Sequence, residues 1–290
     1  MELKATSYQV QNRVGIITLD KPERGNAWTG RMDTEYRWCL QQADDDPGVR
    51  VIVVNGAGKR FCVGGDSQAL EGHVERGSYD RGLADEQASG HFGLSKPIIA
   101  AVHGAAAGIG LALFTTAHGK LGLPAEYGLS WLLPRIMGTT RAMELLLSSR
   151  VFLADEALDL GFVNEVCTED ELLPRVLAYA EELASSVAPT SLQETRRQVY
   201  LDMHRPIGDS VAESLRLLNE MMATAEYPPR GQSAGREEAT RLLAFVERGT
   251  GAPDSGLAHV APPTICVVAS ASMEHTTIVP EHGVALAETM

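Results

Sequence analysis

Three short apolar runs constrain this chain more than any other feature. "RVGIITLD" (Arg13 to Asp20), "VRVIVVNG" (Val49 to Gly56) and "KPIIAAVHG" (Lys96 to Gly104) are rich in Val, Ile and Ala. The second lacks polar alternation, so it reads as a strand buried on both faces, and the third reads as another buried strand. "KPERGN" ends the first with a turn of Pro, Gly and Asn. A helix follows: Met32, Tyr36, Cys39, Leu40 and Ala43 share one face, and Pro47-Gly48 stops it. "TTRAMELLLSSR", "ADEALDLG" with Gly161 at its end, and the runs Asp170 to Ala188, Ser191 to His204 and Asp209 to Ala225 also read as helices. The body is therefore α/β first and helical later.

The expected division is an α/β core over 1–188, a helical region over 189–248 and an irregular tail over 249–290. That tail is rich in Pro, Gly and Ser, and "TICVVAS" is its one strand-like island. Nothing in the sequence assigns it to the core. The polar stretch Glu71 to Ser95 reads as a mobile loop.

Composition narrows the function. With 290 residues, 44% of them hydrophobic, the chain can bury a full core. Lys plus Arg total 25 against 38 Asp plus Glu, a formal charge of −13, and no helix is lysine-rich. Nucleic acid and anionic membrane are therefore poor partners, although a local phosphate pocket fits. The N-terminus has no continuous apolar segment of a signal peptide, and no run is long enough to span a bilayer, so a cytoplasmic location is expected. Cys39, Cys62, Cys167 and Cys266 are scattered and read as reduced, buried thiols. No His, Cys and Asp spacing suits a metal, and no metal is expected. Ser130, in "GLSWL", lacks the setting of a nucleophile.

Two segments repeat one pattern: a buried strand, then glycines, then a helix start. The first N–H groups of a helix have no intrahelical partner and sit at the positive end of its dipole. "HGAAAGIGLAL" surrounds Ile109 with Gly104, Ala105, Ala106, Ala107, Gly108 and Gly110, and "FCVGGD" sets Val63 beside Gly64 and Gly65. Small side chains let a ligand carbonyl reach the backbone. Brought together, the N–H groups of Val63 and Ile109 would make a two-donor oxyanion hole.

In order and spacing, "KPERGNAW", "GKRFCVGGD", "KPIIAAVHGAAAGIG" and "LPRIMGTTRAMELLLSSRVFLADEALDLGFVNEV" resemble the crotonase (enoyl-CoA hydratase/isomerase) superfamily from about Gly15 to Ala225. The resemblance implies a spiral of ββα turns, a helical C-terminal region used for oligomerisation as a homotrimer or dimer of trimers, and an acyl-CoA thioester as ligand. Coenzyme A then enters as part of the substrate, and no separate cofactor is expected. It also implies that Val63 and Ile109 hold the thioester oxygen and that Arg24, Ala27, Lys59 and Arg60 contact the adenine and phosphates. Gly64, Gly65, Asp66 and Gly108 complete the substrate-binding set.

The resemblance also exposes two departures. Hydratases of the superfamily use two glutamates, one to activate water and one to protonate the α-carbon. The first position is Ala112 here, which moves no proton, and the second is His118. Glu126 instead stands four residues after the glycine of "KLG", where the peroxisomal-type 3-enoyl to 2-enoyl-CoA isomerases carry their single base. One carboxylate suffices for a 1,3 proton shift. The expected activity is enoyl-CoA isomerisation or an atypical hydration using Glu126 and His118; the alternative is a crotonase-like protein that binds acyl-CoA without converting it. Secondly, relatives carry about ten to fifteen further residues, one strand with its turns, between Phe114 and Thr115. A missing central strand leaves its neighbours' backbone unpaired unless another segment replaces it.

Overall fold

The computed structural model describes residues 1–66, 90–106, 124–125, 128–223 and 265–270. Strands β1 (Thr6–Gln11) and β2 (Val14–Leu19) form an antiparallel hairpin whose two-residue turn, Asn12 and Arg13, has positive φ at both positions. That geometry matches the natural twist of paired strands. Helix α1 (Gly30–Asp45) follows, its first turn capped by the Thr29 side chain accepting from Met32 N–H. The predicted stripe is buried: Met32, Tyr36, Cys39, Leu40 and Ala43 all face the core, joined by Glu35.

Strand β3 (Val51–Gly56) lies parallel to β2, and β4 (Ile98–Val102) parallel to β3. The burial of β3 on both faces expected from its sequence holds, and β2 and β4 share it. Ile17, Leu19, Ile52, Val54, Ile98, Ala100 and Val102 pack in one cluster with α1, whereas Val14, Ile16, Val51, Val53, Ile99 and Ala101 pack in another. Alternate side chains of a strand face opposite ways, so uninterrupted apolar runs need cover on both sides. Helices α2 (Leu129–Met137), α3 (Thr139–Ser148) and α4 (Ala154–Asp159) follow, then a short strand β5 (Glu165–Cys167). Helix α5 (Glu169–Ser186) supplies the second cover through Leu172, Val176, Ala180 and Ala184, one residue per turn. Its small alanines let it approach the sheet closely. Helices α6 (Pro189–Asp202) and α7 (Ile207–Met222) complete the helical part.

The tail departs from expectation. Residues Ile265–Ser270, inside the stretch read as irregular, form a strand, β6, and the sheet order is β1-β2-β3-β4-β6-β5. β6 runs parallel to both neighbours, pairing Ile98 to Val102 on one side and Glu165 to Cys167 on the other. The strand-like island thus takes a place in the sheet between β4 and β5.

The "ADDD" end of α1, which reads as a solvated helix end, is also tied down. Asp44 accepts from the N–H and hydroxyl of Ser95 and from the N–H of Lys96. The buried Lys96 ammonium donates to the carbonyls of Ala43 and Asp46, at 2.6 and 2.5 Å. This cation answers the negative end of the helix dipole that the three aspartates oppose. Burial lowers the Lys96 pKa, while Asp44, Asp46 and Asp45 pull it back up.

Candidate active site

The turn after β2 organises the site. Gly25 and Asn26 both adopt positive φ, 59° and 55°. A β-carbon on Gly25 would meet Val63 Cγ1 at 2.8 Å, so the close approach of this turn to the second glycine segment requires glycine. Asn26 is fully buried. Its amide nitrogen lies 2.9, 2.7 and 3.1 Å from the carbonyls of Ala57, Arg60 and Phe61, and its oxygen accepts from Lys21 N–H at 2.8 Å. One side chain thus locks the turn to the 57–61 loop.

The loop is held from the other side by the end of β4. Phe61 N–H donates to His103 O at 2.9 Å, Cys62 N–H to Ala105 O at 3.3 Å, and Cys62 bridges Ala106. The buried His103 ring places Nε2 2.8 Å from Gly58 O, as a structural histidine would. Gly104 has φ +57, and a β-carbon there would lie 2.2 Å from Lys59 O. The 61–66 segment therefore lies between the 25–28 turn and residues 103–106, with which the second glycine segment begins.

The donor within this arrangement differs from expectation. Val63 N–H is already engaged, donating to Gly25 O at 3.0 Å. Trp28 N–H donates to Gly64 O at 2.7 Å and Asp66 N–H donates to Trp28 O at 3.1 Å, forming a parallel bridge between Trp28 and Gly65. In such a ladder the bridged residue turns its own N–H the opposite way. Gly65 N–H therefore faces away from Trp28. Among the described residues, no acceptor meets it. Which N–H of this segment is left without a partner depends on the neighbour the segment pairs with, which the motif alone does not give.

Other substrate-binding candidates divide. Lys59 and Arg60 are exposed beside the turn, while Ala27 is buried. Arg24 is partly exposed, and its guanidinium lies 2.6 Å from the carboxylate of the buried Asp66. Ile109, Gly108, Ala112, His118 and Glu126 lie outside the described residues, as does most of the expected loop Glu71 to Ser95. Ala125, next to Glu126, is partly buried against the main core, and Gly128 caps α2 with φ 77°.

Behind Trp28 stands a polar wall that sequence reasoning missed. Trp28 Nε1 donates to Asp33 Oδ1 at 3.2 Å, Arg37 donates to the same carboxylate at 2.9 Å, and the indole meets Tyr36 edge-on at 5.2 Å. The Tyr36 hydroxyl lies 2.9 Å from His91 Nε2. Burial, then Arg37 and Arg196, push the His91 pKa down to about 4, so the imidazole is neutral at neutral pH. Asp33, Tyr36 and Arg37 sit on the inner half of α1, where spacing marks a core face but gives no sign of a polar network.

Comparison with known proteins agrees with this architecture. The family model for enoyl-CoA hydratase/isomerase matches residues 9–248. The chain is 32% identical over 195 residues to the 1,2-epoxyphenylacetyl-CoA isomerase of Escherichia coli (strain K12), covering 61% of this chain and 74% of that one. It is 35% identical over 210 residues to a Bacillus subtilis (strain 168) protein named "Probable enoyl-CoA hydratase", covering 66% and 79%. Among solved structures, an enoyl-CoA hydratase from Polaromonas sp. JS666 superposes with a TM-score of 0.71 at 26% identity, covering 83% of this chain and 98% of that one. The chain belongs to the enoyl-CoA hydratase/isomerase family and has its crotonase fold. It is an enzyme of that type, acting on acyl-CoA thioesters. Among the described residues, no helix is long and apolar enough to cross a membrane.

Proposed function

We propose that this enzyme shifts the double bond of an enoyl-CoA, holding the thioester oxygen between the N–H groups of Gly65 and Ile109 and carrying the proton on Glu126. The Gly65 N–H, turned away from Trp28 and without an acceptor among the described residues, is the observation that supports this reading. A backbone donor fixed by its neighbours' hydrogen bonds needs no rearrangement when negative charge develops on the oxygen. Ala112, at the position where hydratases keep one of two carboxylates, disfavours ordinary hydration and favours a mechanism with a single base. Glu126 removes a proton from one carbon of the acyl chain and returns it two carbons away, while the oxyanion hole carries the dienolate charge. His118 is the second candidate acid or base. Lys59 and Arg60 offer exposed cations for the coenzyme A phosphates. No cofactor or metal enters this chemistry, and a cytoplasmic setting suits it.

Assembly belongs to the same proposal. On α7, Ile207, Val211, Leu215, Leu218 and Met222 recur at three- and four-residue spacing and are all exposed. A stripe of this kind suits helix packing against second copies of the chain, in a homotrimer or a dimer of trimers.

The decisive assay offers a 3-enoyl-CoA and a 2-enoyl-CoA in parallel to the wild type and to Glu126→Gln. The expected result is isomerisation by the wild type that falls at least ~100-fold in the variant. Hydration that survives the substitution would move the chemistry to His118, and binding without turnover of either substrate would leave an acyl-CoA-binding protein.

A further inference from the structure

We propose that β6 is an inserted strand that holds the site-bearing end of β4 in place, so that the active-site turn is ordered only while residues 265–270 of the same chain occupy the sheet. The location of the site in this inference rests on the functional reading above; the strand's mechanical role does not. Its basis is an inequality in the pairing of β4. On the β3 side, only Ile98, Ile99 and Ala100 have partners, namely Ile52, Val53 and Val54. On the β6 side, all five residues from Ile98 to Val102 are paired, Ala101 with Val268 and Val102 with Ala269. The last two residues of β4 are thus held in the sheet by β6 alone. They lead directly into His103, Gly104, Ala105 and Ala106, whose carbonyls at His103 and Ala105 anchor Phe61 and Cys62 of the Gly65 segment.

β6 also carries β5, whose three residues pair with Val268, Ala269 and Ser270. The strand lies beyond residues 9–248, the stretch matched by the family. It therefore completes the sheet with material outside the stretch that the family model matches. Supply from the same chain is sterically easy. The roughly 40 residues between α7 and β6 reach ~130 Å when extended, far more than the width of a domain.

The test keeps the full chain. Proline at Val267 removes a backbone N–H and its bulk disturbs a strand flanked on both sides, whereas Val267→Ala leaves the backbone able to pair. Amide hydrogen exchange is read at Ala101–Ala106 and, as reference, at Ile16–Ile17 and Val53–Val54, with titration of 2-butenoyl-CoA alongside. In Val267→Pro, exchange at the end of β4 should rise at least ~100-fold while the reference amides change less than ~3-fold, and binding of the probe should weaken at least ~10-fold. Unchanged exchange at Ala101–Ala106 would overturn the proposal. If the wild type fails to bind the probe and the exchange result still holds, the functional reading fails and the strand's role stands.

Should Val267→Pro not fold, Ile99→Cys gives an independent reading, because Ile99 and Cys266 are register partners and neighbouring strands bring Cα atoms within disulfide range. An intrachain disulfide on oxidation supports insertion from the same chain. An interchain disulfide would overturn that assignment in favour of exchange between copies, and no disulfide would overturn the placement itself.

Discussion

The two flanks of β4 are built by opposite means. On the near flank, β2 and β3 align over six residue pairs, follow each other through one helix, and are tied to the site by the buried Asn26 amide and by the backbone hydrogen bonds between the 25–28 turn and residues 63–66. On the far flank, β6 supplies the neighbouring strand from beyond residue 260, and β5 attaches through it. Thermodynamically the difference is modest, because closing a loop costs only ~0.6 kcal/mol more for each doubling of its length. Kinetically it is large: non-local pairing forms late, after the entropy of closure has been overcome. The near flank should hold its structure when the far flank opens, and the active-site turn lies at the seam between them.

The strongest way to break this comparison is Asn26→Leu. The substitution leaves three carbonyls and one N–H without their buried partner and places a branched side chain at φ 55°. The expected loss is about 4 kcal/mol, read as a shift in urea midpoint. If the near flank is as self-contained as its connections imply, exchange should rise first at Lys21–Asn26 and Ala57–Phe61. A stability loss below about 1 kcal/mol would show that the turn is held by something other than this amide.

Gly104→Ala comes next and strikes the seam. The new methyl would sit 2.2 Å from Lys59 O in a left-handed backbone, so the 57–61 loop and the end of β4 must separate. About 3 kcal/mol is expected from strain and displaced hydrogen bonds together. Because the seam serves both flanks, exchange should rise at Phe61–Cys62 and at Ala101–Val102 alike. A rise confined to one of them would mean that the flanks meet elsewhere.

These positions also show which features are legible in sequence. The buried strands, the stripe on α1 and the glycine segments all follow from periodicity and small residues, since each is a local pattern. Other features are not legible because each depends on a distant partner. The direction of the Gly65 N–H follows from the bridge between Trp28 and Gly65, and Arg24 meets the carboxylate of Asp66. "TICVVAS" reads as a strand, but its place between β4 and β5 depends on partners far away in sequence. Lys96 is similar: its role as a cap on α1 depends on a helix end some fifty residues earlier. Glu126, Ile109 and His118 are legible as candidates through family resemblance, and their test is chemical.

The smallest effect belongs to the near flank alone. Glu35, buried on α1, accepts from the consecutive N–H groups of Lys4, Ala5 and Thr6, from the Thr6 hydroxyl and from Arg31. Burial raises its pKa, but the donors, led by Ala5 and Lys4, outweigh that and leave it below the ordinary value of 4.5. A carboxyl group with a depressed folded pKa contributes stability above its unfolded pKa and loses that contribution as pH falls through the folded one. Glu35→Gln keeps the shape but turns an amide donor toward N–H groups, so about 1–2 kcal/mol should be lost at pH 7. Below pH 4.5 the wild-type and variant stabilities should converge, since the wild-type carboxyl is then being protonated. Glu35 joins the chain start to α1, so exchange should rise around Lys4–Thr6 while β4 and β6 keep their protection. Loosening at β4 instead would show that the two flanks form one cooperative unit and that their separate construction has no energetic counterpart.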